Sequence, residues 1–579
     1  MTVSIHGIGV SRGIAIGQAY IRGRNQFDIV KKSLAEDQIE QEIDRYRRAI
    51  AMAVAQLEQL RDRTDHSLES NVRSIINTHV LMLNDTAFVQ DVLALIQAQQ
   101  CNAEWALLQQ RDALVKIFEH MEDDYLRSRK DDIYHISSQV LRNLVFAAGD
   151  DTPLQNSLAN TIVIAHELSP AEIVVLHDQH AAGIISTSGG PLSHTSIMAR
   201  SLGIPAVVGG RQCFELIRQG ETTILDGESG CILFDADKTT IEHYDTLGRR
   251  HKERLAGLQK LKGRPAVTRD QHRITLQANI EQLEDIEAAL ELGIDGVGLY
   301  RTELLYLQSD ELPSEELQLD NYTTALRLLK GKPLTIRTLD LGMDKQHATS
   351  LGQEAPANPA LSLRGIRLCL QDLELFTPHL RAILRASHYG PVKIMLPMIS
   401  TLHEILQFKN FLATLKSELD AQQIRFDQNI EIGGMIEVPA AALCARQYIT
   451  HLDFLSVGTN DLIQYTLAID RTDDTINYLY DPLHPAILRL VHEVIQAGRK
   501  HRKPVTMCGE MAGDPRLTRL LLSMGLRNFS MQAHSILEVK DVIANSDFDA
   551  LQAKSEALTS LDTTARIVDH VEMLNRQSN

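Results

Sequence analysis

From about residue 268 onward the chain repeats one unit: a short apolar run, then a stretch long enough for an amphipathic helix. Eight runs recur, at Thr275–Ala278, Gly296–Tyr300, Leu334–Thr338, Val392–Leu396, Glu431–Ile436, Asp453–Val457, Pro504–Cys508 and Asn528–Met531. Glu281–Leu292 and Pro485–Gly498 exemplify the helix-length segments between them. Runs this short and this apolar suit strands buried on both faces, and eight alternating units predict a (β/α)8 barrel. Functional side chains in that fold lie just beyond the C-terminal strand ends. Here those places hold Arg301 and Glu303, Arg337 and Asp340, Glu437, Asn460 and Asp461, and Cys508 and Glu510.

A barrel accounts for little more than half of the 579 residues, and one core does not grow to that size. Short apolar pieces punctuated by Gly7, Gly9, Gly13 and Gly17 open the chain, and β-like runs return at Thr161–Ala165, Gly183–Ser186, Ala206–Val208 and Thr223–Leu225. Between them the pattern is helical. Ser33 and Glu36 have capping-box spacing, and Ile39, Ile43, Tyr46, Ile50, Val54, Leu57 and Leu60 recur at three- and four-residue steps. Further helices are expected around Val72–Leu83, Ala103–Leu126 and Ile133–Leu144. The expected organisation is an α/β domain of residues 1–30 and 150–232, a helical bundle of 31–149 inserted into it, a helical linker of 233–267 and a barrel of 268–579.

The formal net charge of −17 disfavours nucleic acid as the main partner. The six cysteines are scattered and form no CxxC pair, so neither a zinc site nor a disulfide framework is indicated. Met1–Gly17 lacks the pattern of a signal peptide and no run approaches a membrane span, so a cytoplasmic protein without membrane insertion is expected.

Two places carry chemistry. In Gly189-Gly190-Pro191-Leu192-Ser193-His194-Thr195-Ser196 a glycine pair leads into a helix starting near His194. Backbone N–H groups and the dipole at such a start favour a phosphate carried on the imidazole, and Ser193, Thr195 and Ser196 are candidate hydroxyl donors. In the barrel, Arg301, Arg337, Arg364, Arg385 and Arg471 suit a ligand bearing both carboxylate and phosphate, unless each pairs with a structural acid. Glu437 and Asp461 read either as a Mg²⁺ site or as counter-ions of those arginines. Cys508 reads as a proton donor or as a core thiol.

These segments together resemble enzyme I of the bacterial phosphoenolpyruvate-dependent phosphotransferase system. The resemblance runs in collinear order through Gly7-Ile8-Gly9-Val10-Ser11-Arg12-Gly13, Ser193-His194-Thr195-Ser196-Ile197-Met198-Ala199-Arg200, Gly298-Leu299-Tyr300-Arg301-Thr302-Glu303, Ile336-Arg337-Thr338-Leu339-Asp340, Glu437-Val438-Pro439, Gly458-Thr459-Asn460-Asp461 and Met507-Cys508-Gly509-Glu510. It implies His194 as the phosphorylated histidine and Arg301, Arg337, Arg364, Asn460 and Arg471 as ligands of phosphoenolpyruvate. It further implies Glu437 and Asp461 as ligands of Mg²⁺ and Cys508 as the acid that protonates the enolate. The helical insertion would dock the phosphocarrier protein HPr, and the barrels would form a homodimer. Leu192 departs from the family pattern, which usually has Thr there. Dikinase-type relatives share the histidine domain and barrel but need an ATP-binding domain, for which no segment remains.

Overall fold

The computed structural model describes residues 2–22, 29–63, 70–119, 124–145, 158–166, 168–187, 190, 193–210, 212–307, 312–341, 361–469, 476, 479–554 and 561–576. It divides into two compact units, Met1–Ala256 and Gly257–Asn579.

The first unit is built on an eight-stranded sheet. Its strands are β1 (Val3–His6), β2 (Ile8–Ser11), β3 (Ile14–Ile21), β4 (Thr161–Ala165), β5 (Gly183–Ser186), β6 (Ala206–Val208), β7 (Thr222–Asp226) and β8 (Cys231–Phe234), in the order β1-β8-β7-β3-β4-β5-β6-β2. β3 to β6 run parallel. Their centre is almost entirely buried, as strands covered on both faces must be, which explains the unbroken apolar spelling of β4 and β5.

Between β3 and β4 the chain leaves the sheet and forms five helices: α1 (Ile39–Arg63), α2 (Ser70–Leu83), α3 (Thr86–Gln99), α4 (Ala103–Glu119) and α5 (Asp124–Val145). The stripe on α1 is real: Ile43, Tyr46, Ile50 and Leu57 are buried. They belong to one continuous core with Val10, Val163 and Ile184 of the sheet and Met198 beyond it. The bundle and one face of the sheet thus bury each other.

Three local expectations change. Ser33 forms an antiparallel bridge with Cys101 rather than capping a helix with Glu36. The first turn is 3-10, Glu36–Gln38, and Gln38 Oε1 accepts the Ala35 N–H at 3.1 Å. α3 is an additional helix, and the segment read as Ala103–Leu126 is helical to Glu119 and again from Asp124. Of the linker expected between the bundle and β4, residues 149–157 lie outside the described set.

The second unit contains β9 (Thr275–Ile280), β10 (Val297–Tyr300), β11 (Leu334–Arg337), β12 (Val392–Leu396), β13 (Glu431–Ile436), β14 (Phe454–Val457), β15 (Val505–Met507) and β16 (Asn528–Met531). Each pairs in parallel with the next and β16 closes on β9, a complete barrel. The surrounding helices begin where their sequences signal it. Thr401 and Glu404 cap Leu402–Ala421 reciprocally, and Pro485 opens Pro485–His501. Among the described residues no helix is long and apolar enough to cross a membrane.

Candidate active site

Parallel strands all point the same way, so the residues after them gather at one end of the barrel. Arg337 ends β11 and is only 8% exposed. Its guanidinium donates to Glu303 Oε1 at 3.0 Å and lies 3.1 Å from Asp340 Oδ2. Arg364 donates to both oxygens of the same aspartate, at 3.2 and 2.9 Å. Glu303 also accepts the Asp340 backbone N–H at 2.9 Å. Two guanidiniums are therefore held by two acids in a fixed lattice. Burial alone would lower the pKa of both arginines. The charges of Glu303, Asp340, Glu437 and Asp461 on Arg337, and of Asp340 and Asp461 on Arg364, outweigh it and hold both cationic. Arg301 follows β10 and pairs with Glu281.

Glu437, directly after β13, is 1% exposed. Oε1 accepts the Met398 N–H at 2.6 Å, and Oε2 has no hydrogen-bond partner among the described residues. The space around that oxygen is tight, because a Cβ on Gly458 would stand 2.9 Å from it. Burial, then Asp340 and Asp461, push the carboxyl up to about 8 against the pull of Arg337. A buried carboxyl oxygen with no donor among the described residues, beside further acids, suits a bound divalent cation, which would favour its ionised form. The donor set fits a hard divalent ion completed by phosphate and solvent oxygens. Asp461 lies in the first turn of Thr459–Leu467, after β14. Its neighbour Asn460 exchanges hydrogen bonds with Glu510, at 3.1 and 3.0 Å, joining the ends of β14 and β15.

Cys508 follows β15 and is 4% exposed. It packs with Leu299, Met395, Met435 and Phe454, and its thiol donates to Val457 O at 3.4 Å. Burial pushes the thiol up to about 12, and Glu437 and Asp461 add to the rise while Arg337 and Arg301 oppose it. At neutral pH it is a protonated acid, not a nucleophile. Sequence reasoning missed its support. Ser530 Oγ donates to Asn279 Oδ1 at 2.6 Å, and Asn279 Nδ2 donates to Cys508 O at 2.9 Å. Asn279 lies one residue beyond the expected run Thr275–Ala278, inside the observed strand β9, and nothing in the sequence marked it.

More polar atoms at this end are buried without partners among the described residues: Arg337 Nε, Thr338 Oγ1 and Thr459 Oγ1. Their desolvation is uncompensated in the chain itself. Arg385 does not join them. It lies in the last turn of the helix Leu373–Ala386 and pairs with Glu315 and Glu316, at 2.6 and 2.7 Å. A helix returning between parallel strands finishes at the opposite barrel end, so an arginine in its last turn cannot reach this mouth. Arg471 lies outside the described residues.

In the first unit His194 is the first residue of a helix, His194–Ser201, and Ser193 is its N-cap. The His194 side chain and the whole of Leu192 lie outside the described set. The hydroxyls expected to face a phosphate are otherwise engaged. Ser196 Oγ donates to Gly190 O at 2.6 Å, Thr195 Oγ1 donates to Leu168 O at 3.1 Å, and Ser193 Oγ accepts the Ser196 N–H at 3.4 Å. Thr195 and Ser196 are buried. They build the turn that presents residue 194.

Three family models match the chain: the PEP-utilising enzyme N-terminal domain over residues 6–129, the PEP-utilising enzyme mobile domain over 158–230 and the PEP-utilising enzyme PEP-binding domain over 255–548. Among curated proteins, a phosphoenolpyruvate-protein phosphotransferase of Cupriavidus necator is 40% identical over 565 residues, 95% of this chain and 96% of its own. One of Bacillus subtilis is 38% identical, covering 98% and 99% respectively, and one of Haemophilus influenzae is 36% identical, covering 98% of each.

Proposed function

The chain belongs to the phosphoenolpyruvate-protein phosphotransferase family, enzyme I, and on that premise we propose how its residues divide the reaction. The enzyme uses phosphoenolpyruvate in phosphotransfer through a phosphohistidine. The histidine is His194, and the phosphoryl group then passes to a histidine of an HPr-type carrier docked on the helical insertion. The barrel end holding Arg337, Arg364 and Glu437 binds the donor, and the barrels pair as a homodimer.

The observation that carries this reading is the fixed Arg337–Glu303–Asp340–Arg364 lattice beside the undonated Glu437 oxygen. Arg301, Arg337, Arg364 and Arg471 receive the carboxylate and phosphate, Asn460 reaching a phosphate oxygen. Preformed cations in a buried site stabilise charge as it moves, without reorganising. Glu437 and Asp461 would hold Mg²⁺, which supplies charge neutralisation on the phosphate. The P–O bond to the enol oxygen breaks as an imidazole nitrogen of His194 bonds to phosphorus. The pyruvate enolate left behind takes the Cys508 thiol proton at its methylene carbon, giving pyruvate, and solvent restores the proton. A thiol held neutral by burial suits that acid role.

Transfer of label from [³²P]phosphoenolpyruvate tests the assignment. The wild type with Mg²⁺ is expected to take acid-labile label and hand it to HPr, and His194→Ala to take none. Label on His194→Ala, or label independent of divalent metal, contradicts it.

A further inference from the structure

We propose, on the reading of this barrel end as the phosphoenolpyruvate site, that Gln318 is a positioning residue for the donor: its side-chain amide fixes the turn that carries Glu303, and through Glu303 the guanidiniums of Arg337 and Arg364. Gln318 belongs to the helix Glu315–Leu329 and is fully buried. A carbonyl oxygen can only accept, so the amide nitrogen must be the atom that faces Pro313 O, and Nε2 donates to it at 2.9 Å. The amide oxygen is thereby turned toward three donors. They are the Tyr306 hydroxyl at 3.1 Å, the Tyr322 hydroxyl at 3.3 Å and His379 Nδ1 at 2.8 Å. Tyr322 and His379 are themselves fully buried.

A buried glutamine whose oxygen and nitrogen are both bonded needs no role beyond the core. What sets Gln318 apart is what its partners carry. Tyr306 lies in the short helix Leu304–Leu307, and its N–H donates to Glu303 O at 2.9 Å. Pro313 leads into Ser314, the N-cap of the helix Glu315–Leu329. The amide therefore grips the connection that follows β10 at both of its ends. One turn on, Asn321 accepts the Tyr300 hydroxyl, so the same helix also holds β10 beside Arg301. Glu303 Oε1 receives Arg337 and the Asp340 N–H, and Asp340 receives Arg364. A continuous series of hydrogen bonds thus runs from one buried amide to both guanidiniums. Tyr322 differs from Tyr306. It shares a helix with Gln318, and among the described residues its hydroxyl bonds only Gln318 and His379. Its bond holds nothing that carries Glu303. A leucine at 318 would remove all four bonds and release Tyr306, and small displacements of binding groups weaken a site out of proportion to their size.

Phosphoenolpyruvate is titrated calorimetrically, with Mg²⁺, into the full-length protein carrying His194→Ala, so that no transfer follows binding. On that background Gln318→Leu is expected to weaken binding about 10-fold and Tyr306→Phe about 3-fold, with Tyr322→Phe within about 2-fold of the parent. Both tyrosine changes take one hydroxyl from the same oxygen and keep the ring. A purely structural network would therefore move them together, and thermal melts record the stability each one loses. Should Gln318→Leu not fold, the contrast between the tyrosines decides. With His194 intact, the Gln318→Leu loss is expected in KM, with kcat within about 3-fold. Unchanged binding in Gln318→Leu, equal binding in the two tyrosine variants, or a fall confined to kcat overturns the proposal. Arg337→Lys separates this role from the site itself. If that variant binds phosphoenolpyruvate as tightly as the parent, the donor site lies elsewhere and the role of Gln318 falls with it. If it binds weakly while Gln318→Leu and Tyr306→Phe bind normally, the site stands and only the role of Gln318 falls.

Discussion

Arg337 shows how much one side chain is asked to do. It is buried, donates to Glu303, contacts Asp340 and has no partner for Nε among the described residues. A lysine keeps the charge but loses the planar fork. Arg337→Lys is expected to lower kcat/KM for phosphoenolpyruvate by about 100-fold while the melting temperature moves little, and steady-state kinetics beside calorimetry checks this. His379 makes a different residue-scale prediction. Gln318 Nε2 donates to Pro313 O, which leaves Gln318 Oε1 to accept from His379 Nδ1 at 2.8 Å. The other ring nitrogen is buried without a partner among the described residues, and burial drops the ring pKa to about 3. The folded pKa lies below the unfolded value near 6.5, so the unfolded chain binds the proton more readily. The contribution is fully present above pH 6.5 and is lost as pH falls from there toward 3, by about 1.4 kcal/mol per unit. Between pH 7.5 and pH 5 the barrel should lose about 2 kcal/mol from this group, and a His379→Phe variant should show a correspondingly flatter dependence in thermal melts.

At the scale of elements, the turn after β15 is set by contact with its neighbour. A Cβ on Gly509 would stand 1.9 Å from Thr459 Oγ1 and 2.6 Å from the Thr459 N. Gly509→Ala must push apart the segments carrying Cys508 and Asn460. We expect pyruvate formation to fall about 10-fold or more with the barrel still folded, as measured by turnover and circular dichroism. The barrel strands were legible in the sequence because burial on both faces leaves them mostly apolar and short, and β12, β13 and β16 match their expected bounds residue for residue. α3 was not legible: Val89, Val92, Leu93, Leu95 and Ile96 crowd one short stretch, and so dense an apolar run does not distinguish helix from buried strand. Arg385 misled because spacing along the chain does not say at which end of the barrel a side chain emerges. Asn279 was hidden because the expected run stopped at Ala278, and a polar residue at a strand end carries no mark of the loop it supports. The hydroxyls around residue 194 were legible as a helix start, while their inward direction depended on carbonyls at Leu168 and Gly190 that only the fold brings near.

Considered whole, the molecule has two units, and within the first the helical insertion and the sheet share one core. Cooperativity follows the core. Scanning calorimetry is expected to resolve two transitions and not three, with phosphoenolpyruvate raising the one that belongs to the barrel. A third transition for the helical insertion alone contradicts the shared core. The sheet also has a consequence for the ribosome. β1 pairs with β8, Val3 opposite Phe234, and β3 pairs with β4 across the entire helical insertion, Ile21 opposite Ile164. Strands β1 to β3 therefore leave the exit tunnel long before the partners that pair with them. The helices, whose contacts are nearer in sequence, can gather during synthesis while β1, β2 and β3 wait as unpaired edges. Chaperone crosslinking to the amino-terminal segment should persist until the chain has grown past Phe234 and then fall away.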